Sequence, residues 1–256
     1  MRIISLLLVG IFAIVGCDSI DPVQSTWRTG FDISDANDSG MSDSLKALYK
    51  TDAEHLALRE IHADPTAKYS LVEIPQELID LYYNSLLHIY NSVKNSSSSY
   101  AELGSIHVFP QPETHNLVLS VDTTKEWVRQ LISGKEITGY NKVDNLIKEY
   151  GLKLKFHSTF GPLVVLKSEK ALNVLALAGS FKNLDGINIC EPDGIVGDGN
   201  DIVSEVDRNQ IKLKYYLKWG DCPAGCTASH VWILRLGRKG DVEFLGESGS
   251  DIPGRI

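Results

Sequence analysis

Between residues 117 and 190 the chain runs through strand, helix, strand, strand, helix and strand, an order that leaves few folds open. Leu117 to Val121 is an apolar strand run. Residues 140–150 place Val143, Leu146 and Ile147 on one helical face, and Gly151 stands in the C-cap position. Leu152, Leu154 and Phe156 then alternate with Lys153, Lys155 and His157, the period-two pattern of a half-buried strand. Gly161-Pro162 turns the chain into a second strand at 163–166. An Ala- and Leu-rich helix at 170–181 and a final strand at 186–190 complete the set.

This order predicts a ferredoxin-like unit, an antiparallel sheet with two helices on one face. A further helix carrying Trp127, Val128, Leu131 and Ile132 sits in its first crossover. A helical pair precedes it. The first helix spans 52–62, with Thr51 and Glu54 as a capping box and Pro65 as the stop; Leu45, Leu48 and Tyr49 fall in a turn ahead of it. The second opens at Pro75 and repeats Leu78, Ile79, Tyr82, Leu86, Ile89, Tyr90 and Val93 at helical spacing. Residues 106–109 read as a short strand ended by Pro110 and Pro112, and 193–205 as a turn-rich connector. Ile211, Leu213, Tyr215, Leu217 and Trp219 alternate with Lys212, Lys214, Tyr216 and Lys218; with 231–236 and 242–245 they predict a three-stranded β-meander that extends or packs on the ferredoxin-like sheet. The fold class is therefore α+β.

The first residues are of a different kind. Arg2 precedes an apolar run from Ile3 to Val15, too short for a comfortable membrane span and of the length of a signal h-region. It ends in Ile14-Val15-Gly16-Cys17, which resembles the bacterial lipobox. The resemblance implies a lipoprotein signal peptide at 1–16, acylation of Cys17 with palmitate-type chains, and attachment to a membrane of the cell envelope. Residues 17–44, rich in Asp, Ser, Gly and Asn, then form a tether. The ectodomain is 45–256, made of the helical pair (45–95), the ferredoxin-like unit (106–193) and the meander (206–248). The formal charge is -8, and loss of 1–16 removes Arg2 and no acid. So acidic a chain, with no basic cluster interleaved with aromatics, is not built for nucleic acid.

With Cys17 assigned to lipid, Cys190, Cys222 and Cys226 remain. Cys222 and Cys226 flank Pro223-Ala224-Gly225 and are placed to bridge in an oxidising envelope. Two alternatives use the same residues: a metal site formed with His230 and Cys190, and a redox pair, whose spacing is one residue longer than the thioredoxin motif. Cys190 reads as an inert thiol at a strand end. Asp193, Asp198, Asn200 and Asp201 form an acidic, glycine-rich cluster that could hold calcium, although the full twelve-residue loop pattern is missing; an ordinary solvated turn is the stronger reading of them. His55 and His62 are seven residues apart without an HExxH pattern, Gly246 to Ser250 misses the nucleophile elbow by one place, and no phosphate-cradling or dinucleotide loop occurs. These observations point to binding without catalysis and leave an envelope enzyme as the third reading.

Two resemblances add to this. Residues 117–193, closing in Leu184-Asp185-Gly186-Ile187-Asn188-Ile189-Cys190-Glu191-Pro192-Asp193, resemble the propeptide-type inhibitor domain of subtilisin-like proteases, which implies a protease as partner. Here no protease follows in the chain. Gly220-Asp221-Cys222-Pro223-Ala224-Gly225-Cys226, followed by His230 and Trp232, resembles the C-terminal GDCPxGC loop of envelope lipoproteins from Bacteroidetes-like bacteria. That resemblance implies relatives and a location, without a reaction.

Overall fold

The computed structural model describes residues 33–94, 101–207 and 209–254. The signal segment, Cys17 and the tether as far as residue 32 lie outside them.

The chain is α+β, with two four-stranded antiparallel sheets and six α-helices among the described residues. The first helix, α1 (Asp43–Ala63), begins well before the expected residue 52. Ser42 is its cap, its hydroxyl accepting from the Leu45 N–H at 3.3 Å. Thr51, read as a cap, sits inside the helix and donates to the Ala47 carbonyl at 3.1 Å. The periodicity misled because the first turns of α1 are largely exposed: between Asp43 and Thr51 only Tyr49 is buried, so no apolar stripe marks them, whereas every side chain from Asp52 to Leu58 is buried. The one-turn α2 (Ala67–Ser70) leads to α3 (Gln76–Lys94), whose expected stripe of Leu78, Ile79, Tyr82, Leu86 and Ile89 is buried. The end of the expected tether is docked as well. Ile33 and Met41 are buried, and the Ala36 N–H donates to Asn84 Oδ1 at 3.0 Å.

The ferredoxin-like unit comprises β1 (Asn116–Val121), α4 (Glu126–Ile132), α5 (Asn141–Tyr150), β2 (Leu152–His157), β3 (Leu163–Ser168), α6 (Val174–Phe181) and β4 (Ile187–Pro192). Strand order is β2-β3-β1-β4, with every neighbour antiparallel. Gly151 ends α5 in the left-handed conformation, φ 61°, as its C-cap position required. Helix α6 starts later than residue 170 because Asn173 caps it, Oδ1 accepting from the Ala176 N–H at 3.3 Å.

The second sheet corrects the expected meander in two ways. It has four strands, β5 (Asp201–Val206), β6 (Gln210–Trp219), β7 (Ala228–Gly237) and β8 (Val242–Gly249), in sequential order. The added strand β5 lies in what read as a connector; only Ile202 among its side chains is fully buried, so its apolar signal is weak. The sheet also packs on the helical pair and not on the ferredoxin-like sheet. Ile211, Leu213, Tyr215, Trp232, Leu234 and Leu236 share one core with Leu56, Ile61, Tyr82 and Leu86. A separate core joins β1 and β3 to α4 and α6. Asn173 ties the two halves: its amide donates to the Lys68 and Leu71 carbonyls, and its Oδ1 accepts from His62 Nε2 at 3.0 Å.

Candidate functional site

The helices of the ferredoxin-like unit cover the sheet face bearing Leu117, Leu119, Val164 and Leu166. Side chains alternate along a strand, so Val118 and Val165, which are register partners, point to the other face. Ser120, paired with both Leu163 and Ile189, places those two beside them. The pattern predicted Phe156 to face inward with Leu152 and Leu154. A register shift between Leu154 and Phe156 instead sets Phe156 opposite Val165. One extra residue turns every following side chain over, which is why the alternation alone placed Phe156 wrongly. The result is an uncovered face with Phe156 51%, Ile189 56% and Leu163 38% exposed, and Phe160 fully exposed at the hairpin tip. Lys153, Lys155, Lys167 and Glu191 border it. Clustered large apolar side chains on a sheet face mark an interaction surface more than scattered single ones do.

A polar latch, which the sequence reading missed, holds the start of this unit to α1. Arg59 donates from Nε to the Gln111 carbonyl at 2.9 Å and from Nη2 to the Phe109 carbonyl at 2.8 Å. Its Nη1 donates to Asp201 Oδ1 and to the Ile202 carbonyl, each at 2.9 Å. Asp52 accepts from His107 Nδ1 at 2.6 Å and from the Val108 N–H at 2.8 Å. His55 Nδ1 donates to the Pro112 carbonyl at 3.0 Å, and burial holds its pKa below the ordinary imidazole value. The segment 106–110 is therefore no strand. Ile106 and Val108 are buried alternately, which produced the period-two signal, but side chains of α1 and Asp201 take its backbone groups. Pro110 and Pro112 were the available clue, since proline is excluded from a paired central strand.

The calcium candidates have other partners. Asp201 serves Arg59 and the Phe109 N–H. Asp198 pairs with Lys218 Nζ at 2.7 Å, and Asn200 Oδ1 accepts from the Lys218 N–H at 2.9 Å. Asp193 lies just past β4, its N–H donating to the Asn116 carbonyl at 3.0 Å. Among the described residues no group of three His, Cys, Asp or Glu side chains is placed to hold a metal ion. Cations of the protein itself already neutralise two of the three carboxylates, so the cluster reads as structural.

Cys222 and Cys226 are joined by a disulfide, with Cα atoms 3.9 Å apart, closing the connection between β6 and β7. Gly220 enters that connection at φ 97°, and a Cβ there would lie 2.0 Å from Thr227 Oγ1, so both conformation and space demand glycine. His230, the further ligand of the zinc alternative, turns to the last strand. Its Nδ1 donates to the Ser250 carbonyl at 3.0 Å, its Nε2 lies 3.6 Å from Glu247, and its ring is 4.6 Å from that of Trp232. Cys190, on β4 of the other sheet, is a free half-buried thiol whose pKa burial pushes up to about 12, which keeps it protonated and inert. Replacing Cys222 and Cys226 together by Ala is expected to lower stability by about 2 kcal/mol, the chain-entropy value for so short a loop. Urea unfolding with and without reductant checks this; an unchanged midpoint would show that the staple has no weight in folding.

No family model, curated protein or solved structure matches this chain.

Proposed function

We propose that this is a lipid-anchored protein of the bacterial cell envelope that acts by binding a protein partner, and that the uncovered sheet face is its binding surface. The observation that carries this reading is that Phe156, Phe160, Leu163 and Ile189, all exposed, gather on one sheet face and its hairpin tip. The lipobox resemblance at Ile14-Val15-Gly16-Cys17 supports the anchor. No helix among the described residues is long and apolar enough to cross a membrane. On this reading lipid at Cys17 provides the attachment.

Two measurements test it. Cys17→Ser is expected to abolish incorporation of labelled palmitate and to move the protein from the membrane to the soluble fraction, because several acyl chains on one cysteine supply the attachment energy. Retention of the variant on membranes would remove the anchor from the proposal. A photo-crosslinking residue at position 160 is expected to give a discrete adduct in intact cells that Phe156→Asp with Ile189→Asp abolishes. The same probe at Ser180, exposed on the helical side, serves as the control. Equal labelling from both positions would rule the sheet face out.

A protease-inhibitor or propeptide-like module is the second reading. It is favoured by the strand order of the segment that carries the resemblance and by that segment's open face. Titration against subtilisin-type proteases decides it: inhibition that Phe156→Asp weakens supports an inhibitor, and no inhibition at micromolar concentration excludes one.

A further inference from the structure

A cleft of about 240 Å³ enters the core between the helical pair and the β5–β8 sheet, where α3 ends and the chain returns through the 3₁₀ turn Ala101–Ser105. Its walls are core residues. Tyr49, Ile89, Leu103 and Tyr215 line it, and each is almost wholly buried. Tyr90 stands edge-on to Tyr49, with ring centroids 5.7 Å apart. Lys94, exposed at the rim, holds its ammonium 5.7 Å from the Tyr90 ring centroid, and no acid among the described residues forms an ion pair with it. The Tyr215 hydroxyl is buried and has no hydrogen-bond partner. Packing alone does not explain this combination. A well-packed core closes its voids, and a cation beside an aromatic mouth attracts an anion that brings an apolar body with it.

We infer that the cleft is a binding site for a small aromatic monocarboxylate. Its ring would enter between Tyr49, Tyr90, Ile89 and Leu103, and its carboxylate would rest on Lys94. The size agrees, since an apolar cavity of about 150 Å³ already holds benzene. The cleft belongs to the core under α3, apart from the uncovered face of the other sheet, so its occupancy is independent of the proposed partner surface.

The test is titration of the full chain with benzoate and, separately, with the neutral isostere benzamide, followed by heat and by tyrosine fluorescence. Benzoate is expected to bind saturably in the sub-millimolar to millimolar range, at least tenfold more tightly than benzamide. Lys94→Met, at an exposed position, is expected to erase that tenfold preference while leaving benzamide binding within about twofold, a step of 1.4 kcal/mol per tenfold change. Val93→Trp, which fills the mouth from α3, is expected to abolish both without altering the circular dichroism of the fold. Absence of saturable benzoate binding below about 10 mM, or a benzoate affinity unchanged by Lys94→Met, would overturn the assignment.

Discussion

Arg59→Ala is expected to lower the stability of the fold by about 3 kcal/mol, the low end of the range for breaking a buried pair by removing one partner. The reasoning starts from what Arg59 leaves behind. Its guanidinium serves three carbonyls, those of Phe109, Gln111 and Ile202, and the carboxylate of Asp201. Truncation takes this donor from the three carbonyls and leaves Asp201 without its cation, held only by the Phe109 and Ile202 N–H groups, in a half-buried seam between α1, the 106–112 segment and β5. Each unsatisfied buried acceptor costs about 1–3 kcal/mol, but partial exposure lets water recover some of it. The ion pair is 24% exposed on the arginine side and 16% on the aspartate side, which is why the low end applies. Arg59→Lys separates charge from geometry. It keeps the cation yet cannot present the planar fork that reaches carbonyls in different directions, so it should recover less than half of the loss. Urea unfolding of the three proteins measures this; a loss under about 1 kcal/mol for Arg59→Ala would show that the latch does not hold the segment.

Trp232→Ala is expected to cost about 3–5 kcal/mol, the range for truncating a large aromatic in a core. Trp232 is 0% exposed and is the largest fully buried side chain. It sits on the middle of β7, opposite Tyr215 on β6 and Glu247 on β8. Its loss opens a cavity where the sheet meets the helical pair, between strands that cannot close up without leaving register. Trp232→Phe should cost only about 1 kcal/mol, because the indole N–H has no partner and its removal sacrifices no hydrogen bond. Thermal unfolding followed by near-ultraviolet circular dichroism gives both values. A Trp232→Ala loss below about 1.5 kcal/mol would mean that the sheet can collapse onto the gap.

Both sites show what local pattern can and cannot carry. The run 211–219 alternates so regularly that β6 could be read residue by residue, and Tyr215 came out inward as it should. The Cys222–Cys226 link was legible because five residues with Pro and Gly between two strands have few ways to turn. Helix α5 was legible from Val143, Leu146 and Gly151. By contrast α1 gave a weak signal at its start, since between Asp43 and Thr51 only Tyr49 is buried and no apolar stripe forms there. The four acidic-loop residues looked like one cluster because they are near in sequence. In space Asp201 belongs to Arg59, 142 positions away.

The sequence by itself determined the elements of the ferredoxin-like unit and their order and the direction of most strand side chains, and it placed Cys222 and Cys226 to bridge while leaving a metal or redox use of them open. Each of these is encoded within a turn or a strand's length by periodicity and by glycine and proline. Only the tertiary structure decided the rest. It added β5 to the meander and set that sheet on the helical pair. It also shifted the register at Lys155 and so brought Phe156 onto the uncovered face. Those outcomes depend on which surfaces meet, and a single bulge or one long-range ion pair, invisible in any local window, is enough to settle them.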